Sequence, residues 1–415
     1  MTQKKRTPQT TVQNPVNVSK NVPEYLKVIQ KVVKRELTRT SQNIQKWRSA
    51  TISAESILNP NRVKLLEIYK DVILDAHLSS VMNTIKLKVK SGEIYICNAD
   101  KSENEDLTKK IRDKWFRDYL DFYVDALFYG HSLIQINGIS NDRFIDLELV
   151  PRENVVPEFG IVKTNAWSHA TDGVDFRSEP YSDWLIEIGQ KNDLGILHKA
   201  TPLTLWKKGV FGAWSQYAEL FGMPLRIGKT DILNPANRVN MEKMLENMGS
   251  ASWGVFNLDD QIEFINGNGS TSSFEIYDKM IDRVNTEISK LVLGQTGTTD
   301  EKSFTGSANV HASILADYIS AIKTDIVDHV HKIIIPKMKM FGMLPNQDLT
   351  FKFEDNEQIP IDKHFEITKE LLNFYNIPAE WIAERFNVPV EEKDIQTQTT
   401  SVLPDVANLY KNAIV

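Results

Sequence analysis

The chain has 415 residues, 41% apolar and 25% charged, with a net charge of −6, which gives room for about two or three domains and a sizeable buried core and excludes a disordered tail or a collagen. Its single cysteine, Cys97, excludes an intramolecular disulfide and a Cys-based zinc site and points to an intracellular compartment or to assembly inside a cell. No apolar signal core follows Met1 and no stretch reaches the ~18 apolar residues of a spanning helix, so neither a secreted nor an integral membrane protein is expected.

Charge is unevenly spread. The first 50 residues hold eleven Lys and Arg against Glu24 and Glu36, a local +9, so the other 365 carry −15. A basic arm on an acidic body suits an anionic partner, and equally a solvated terminus. Residues 1–22 are polar and expected to be unstructured, and residues 23–47 show helical periodicity through Tyr25, Val28, Ile29, Val32 and Val33. One helix is expected over 65–85, a strand over 93–97, and a second helix over 106–129 that stops at Gly130. Strands follow at 132–136 and 144–150 around the turn dipeptide Asn137-Gly138, with a short strand at 184–188.

The second half is more regular. Leu203, Trp206, Val210, Trp214, Tyr217 and Phe221 fall on one stripe of a helix that Gly222 and Pro224 end. A compact strand–helix–strand insert follows, with strands at 225–228 and 253–256. Its helix has Asn234 as N-cap, Pro235 in its first turn and Gly249 as its stop. A clean seam of Phe274, Tyr277, Ile281, Val284, Ile288 and Leu291 marks the next helix. After a Gly-rich polar loop at 294–306, one long helix is expected over 307–335, seamed by Val310, Ile314, Tyr318, Ile322, Ile326, Val330 and Ile333. A strand at 349–353 and two short helices at 363–375 and 378–386 complete an α+β chain without internal repeats.

Chemical motifs are scarce. The run from Gly222 to Thr230 resembles a phosphate-binding loop, but it has five residues before Gly228-Lys229 where four are needed. Pro224 removes a donor, and the run follows a helix where such a loop follows a strand. Lys229 reads as a solvated strand-end charge. Asp325, Asp328, His329 and His331 could suggest a metal, yet His329 and His331 point to opposite sides of a helix, so an exposed or inter-subunit polar stripe is expected. No hydrolase elbow, metalloprotease or dinucleotide fingerprint is present, so catalysis has no visible home, and most of the eight tryptophans are expected in the core.

Five stretches in order carry a family resemblance: Ala126-Leu-Phe-Tyr-Gly-His-Ser-Leu-Ile-Gln-Ile136, Trp214-Ser-Gln-Tyr-Ala-Glu-Leu-Phe-Gly-Met-Pro-Leu-Arg-Ile-Gly-Lys229, Ile288-Ser-Lys-Leu-Val-Leu-Gly-Gln-Thr296, the long helix after the Gly-rich loop, and Asn376-Ile-Pro-Ala-Glu-Trp-Ile-Ala-Glu-Arg-Phe386. Over residues 55–390 the chain resembles the phage portal family, and more narrowly the portal proteins of Mu-like phages. The resemblance implies the portal fold. A basic arm (1–54) would precede a wing (55–202), then stem helix 1 (203–223), a small clip (224–270), stem helix 2 (271–293), a tunnel loop (294–309), a tunnel helix with the rest of the wing (310–361), and a short helical crown (362–415).

It further implies a non-enzymatic, cofactor-free and metal-free subunit of a dodecameric ring at one capsid vertex of a phage or prophage particle, assembled in the host bacterial cytoplasm. The ring would conduct double-stranded DNA during packaging and ejection. Its expected partners are further copies of itself, the terminase large subunit, the major capsid or scaffold protein, and a head-completion adaptor, with no membrane. Thr298, Thr299, Asp300, Glu301, Lys302, Ser303, Phe304 and Thr305 would face the channel, and Leu225, Arg226, Lys229, Asn234, Arg238 and Trp253 would dock the motor or connector. Alternative readings are a nucleic-acid-processing ATPase or nuclease, or an intracellular scaffold without DNA transport.

Overall fold

The computed structural model describes residues 43–221, 226–230, 234–247, 253–256, 272–296, 305–354, 361–375 and 377–386. The expected elements in 1–42, the helix stop Gly249 and the tail beyond 386 lie outside the described residues. The chain divides into two units, residues 1–355 and 356–415.

The first unit begins with α1 (Ile44–Ala54), α2 (Val63–Val72) and α3 (Ala76–Lys90), then β1 (Glu93–Cys97), α4 (Glu105–Ile111) and α5 (Lys114–Tyr129). Two helices expected to be continuous are each broken by an aspartate. Asp75 leaves helical geometry and accepts the Leu78 N–H at 2.9 Å, and Asp113 accepts the Lys114 N–H at 2.6 Å. A short carboxylate that caps a new helix wins over continuing the old one, even within an unbroken apolar pattern.

Next come β2 (His131–Ile136), β3 (Ile139–Ser140), β4 (Arg143–Phe144), β5 (Leu147–Leu149), β6 (Val155–Val156), β7 (Ile161–Lys163), β8 (Gly173–Asp175), the single turn α6 (Tyr181–Trp184) and β9 (Leu185–Gly189). The strand expected over 144–150 is thus two pieces, β4 and β5. The fully buried β2 lies between β5 and β9 in an antiparallel sheet, with Ile134 opposite both Leu149 and Ile186. The small sheet β6-β7-β8 lies beside it in the chain.

The long helix α7 (Gly195–Phe221) leads into β10 (Arg226–Lys229), α8 (Pro235–Asn247) and β11 (Trp253–Phe256), and α9 (Ser272–Leu293) follows. Then come α10 (Thr305–His329), a π-helical turn (Val330–Ile334), α11 (Ile335–Met340) and β12 (Thr350–Glu354). β12 pairs antiparallel with β1, Phe351 opposite Ile96, and so ties sequence-distant parts of the unit together. Trp115, Phe116, Tyr119, Phe128 and Phe351 are among the largest fully buried side chains of the core.

The second unit contains α12 (Ile361–Leu371) and α13 (Ala379–Phe386), with Phe365 and Phe386 edge to face at 6.2 Å.

The tryptophans depart from the core expectation. Trp115 and Trp184 are buried, but Trp167, Trp206 and Trp381 are exposed.

Candidate functional site

The hairpin of α7 and α9 is built on the amino end of α3. Lys207 of α7 is buried in an ion pair with Asp75 at 2.7 Å, and Ser289 of α9 meets His77 at 2.8 Å. Farther along, Trp214 stacks on Tyr277 at 6.4 Å with rings 9° apart, and Tyr217 lies 5.9 Å from the same ring. Contacts of 207 and 289 at one end and of 214 and 277 at the other make the two helices antiparallel.

The apolar seam expected on α9 holds, with Ile281, Val284 and Ile288 buried. The stripe on α7 holds only in part. In its first half the helix buries Leu197, Ala200, Thr201, Thr204 and Leu205, whereas Trp206 is 55% exposed. Phe211, Ile276 and Met280 are likewise exposed on the hairpin. On α10 the expected seam splits along its length. Ile322, Ile326 and Val330 are buried, but Val310 is 60% exposed and Ile314 is also exposed.

Between the ends of the hairpin lies the strand–helix–strand insert. β10 and β11 pair in parallel, Arg226 opposite Trp253 and Lys229 opposite Phe256, which requires a crossover, and α8 supplies it. Asn234 accepts the Ala236 N–H at 3.1 Å and so caps α8 as its position before Pro235 predicts. Arg238 lies on α8 in an i,i+4 pair with Glu242 at 3.2 Å. The structure therefore places Arg226, Lys229, Asn234, Arg238 and Trp253 on one small insert. Leu225 lies outside the described residues, as do Thr298, Thr299, Asp300, Glu301, Lys302, Ser303 and Phe304, while Thr305 opens α10. The end of α9 lies beside α10, since a Cβ on Gly294 would stand 3.7 Å from the Ile314 side chain.

Of the expected exposed or inter-subunit stripe, Asp325 and Asp328 are exposed, but His329 and His331 depart from it. His329 donates from Nε2 to the Glu187 carbonyl at 2.9 Å, which leaves Nδ1 to accept the Tyr119 hydroxyl at 2.7 Å. His331 Nε2 accepts the Phe351 N–H at 2.7 Å. The two imidazoles bind different strands inside one unit. Each must stay neutral to accept its bond, and burial pushes both pKa values down. Among the described residues no group of three or more His, Cys, Asp or Glu could hold a metal ion, and no helix is long and apolar enough to cross a membrane.

Sequence reasoning missed the π-helical turn, although a signal for it exists. Ile322, Ile326, Val330, Ile334 and Met338 are all buried and recur at strict four-residue steps. An α-helix drifts about 40° at each such step, so five residues would wind off the seam. One wider turn absorbs the extra residue and returns Ile334 and Met338 to the core face.

A family model described as "Portal protein of Mu bacteriophage" matches residues 66–388. No curated protein matches the chain. Among solved structures, the chain is similar to an HK97-family phage portal protein from Corynebacterium diphtheriae, with 10% identity, 74% of this chain and 98% of that one covered, and a TM-score of 0.39. It is also similar to a chain in the neck of an empty GTA particle, with 12% identity, 84% and 100% covered, and a TM-score of 0.48. Likenesses of that strength carry none of the assignment, which rests on the family match spanning all three long helices and the insert between two of them. The chain belongs to the family of Mu-type phage portal proteins.

Proposed function

We propose that this chain is the subunit of a closed homo-oligomeric ring, with twelve copies in the particle, set at one capsid vertex of a phage or prophage. In this reading double-stranded DNA passes through the ring during packaging and ejection. The terminase large subunit docks from outside and supplies the ATPase chemistry, the capsid or scaffold protein surrounds the wing, and an adaptor follows at head completion. Assembly takes place in the host cytoplasm, and the finished subunit resides in the virion. The family match over residues 66–388 carries the reading. Trp206, Phe211, Ile276, Met280, Val310 and Ile314 support it, as large apolar side chains left exposed on the hairpin and on α10 in a single copy. A heterologous contact between copies covers such surface and closes when the rotation between neighbours permits. An acidic body also suits a conduit, because a lysine-rich wall would bind phosphates strongly and slow passage.

In this reading Thr298–Thr305 enters the channel and the insert from 224 to 270 docks the motor. Replacing residues 298–305 by a short Gly/Ser turn is expected to leave ring assembly unchanged, read by native mass spectrometry, while impairing DNA packaging or retention. Normal yields of full, infectious particles from that variant would contradict the tunnel-loop assignment. ATP turnover by the purified wild-type chain would favour the motor-enzyme alternative.

A further inference from the structure

The turn between α1 and α2 exposes apolar side chains that a soluble surface rarely offers together. Ile57 is 89% and Leu58 82% exposed, and Ile52, one turn back on α1, is 72% exposed. Asn59 accepts the Ala170 N–H at 2.8 Å and so brings this turn against the loop that carries exposed Trp167. A cavity of about 460 Å³ lies elsewhere against β9, but here a separate one of about 430 Å³ opens between the turn and β6-β7, lined by Ala54, Glu55, Ile57, Glu158, Phe159 and Leu194.

Its electrostatics lean negative. α1 ends at Ala54 with no basic residue in its own last turn, and exposed Glu55 stands at that negative end of its dipole. Glu158 gives Oε1 to Arg62, at 3.0 Å from Nε and 2.5 Å from Nη2, and leaves Oε2 buried without a partner among the described residues. Arg62 itself is committed further, to the carbonyls of Lys191 and Asp193.

We propose that this patch is the docking face for the chain's own basic segment, residues 23–42. That segment lies outside the described residues and joins the structure at Asn43, the N-cap of α1. α1 has 11 residues and is therefore about 16 Å long, so a segment of 20 residues that turns back at Asn43 reaches the patch with length to spare. Its sequence carries both kinds of complement: Tyr25, Val28, Ile29, Val32 and Val33 at helical spacing for the apolar surface, and Lys27, Lys31, Lys34, Arg35 and Arg39 for the helix end and the carboxylates. Attachment so near the patch also raises the local concentration of the segment far above that of a free partner. The inference does not depend on ring assembly.

Two measurements on the full-length chain test it. In limited trypsin digestion, cleavage after Lys27, Lys31, Lys34 and Arg35 is expected to be at least about tenfold slower in the wild type than in the Ile57→Asp, Leu58→Asp double variant. Ile145→Asp, at another exposed apolar position, should behave as wild type. Equal rates in wild type and double variant overturn the proposal. Should the double variant lose its fold by circular dichroism, a photo-cross-linker at position 57 replaces it, in a mixture of ¹⁴N- and ¹⁵N-labelled chains. Cross-links to residues 23–42 within one isotope support the proposal. Cross-links between isotopes assign the patch to another copy's segment, and cross-links to other parts of the chain to a different occupant, and either result overturns it.

Discussion

Gly130 and Gly195 face each other where α5 ends and α7 begins, with φ of 86° and 77°. A Cβ on Gly130 would stand 2.2 Å from the Asp193 carbonyl oxygen, and one on Gly195 would stand 2.1 Å from the Phe128 carbonyl oxygen. Both obstacles are backbone and cannot swing aside. Each position therefore combines left-handed strain with a steric block, and Gly130→Ala or Gly195→Ala is expected to cost about 3 kcal/mol of stability. Gly209→Ala on the exposed half of α7, where nothing lies within 4 Å, should be neutral or slightly stabilising in the same denaturation experiment.

The histidines set a pH dependence at the same scale. His131, His198, His329 and His331 all have pKa values pushed below the usual 6.5 by burial. The unfolded chain then takes up protons before the folded one, so the stability they contribute is present above about pH 6.5 and is lost as pH falls through their folded values. Stability should drop between pH 7 and 5 with a slope of at most about 1.4 kcal/mol per pH unit for each such histidine. His329→Gln, whose amide reproduces the donor and the acceptor, should flatten that slope. A slope unchanged in the variant would show that His329 is not among the groups responsible.

At the scale of elements, the π-helical turn keeps two stretches of one long helix in phase. Deleting Lys332, an exposed residue within the turn, should restore an ordinary α-helix with both seams still facing the core, at a cost below about 2 kcal/mol. Deleting Ala321 instead rotates everything before it by about 100° and takes Leu315 and Ile319 off the core face. That loss of two buried side chains is expected to cost about 5 kcal/mol or more, measured by chemical denaturation. Comparable costs for the two deletions would contradict this role of the turn.

The same elements show what was legible from residues alone. β1, β11 and the α9 seam follow from period and turn residues, and Asn234-Pro235 announces the start of α8. The breaks at Asp75 and Asp113 were hidden because the apolar pattern runs through them and only the cap bonds interrupt the helix. The π-helical turn shows in the sequence as a four-residue period, which over two or three steps an ordinary helix also tolerates. On α7 Trp206 is exposed between buried Leu205 and Lys207, and on α10 Ile314 is exposed beside buried Leu315, so the buried face of each helix lies partly off the apolar stripe that the sequence displays, and a stripe alone cannot tell which of its residues meet the core. Of the candidate site, the insert was legible through its caps and strands, whereas the channel-facing role of residues 298–305 rests on resemblance.

For the whole molecule, the proposed function requires that copies of this chain close into a ring around an open axis. The exposed apolar residues on the hairpin and on α10 are the surface that a neighbour would cover. Electron microscopy of the purified full-length protein, with no other phage component present, tests this most directly. Closed rings of uniform rotational symmetry with a stain- or solvent-filled axial channel are expected. Monomers, open filaments or closed particles without an axial opening, across a wide range of concentration, would contradict the proposed function.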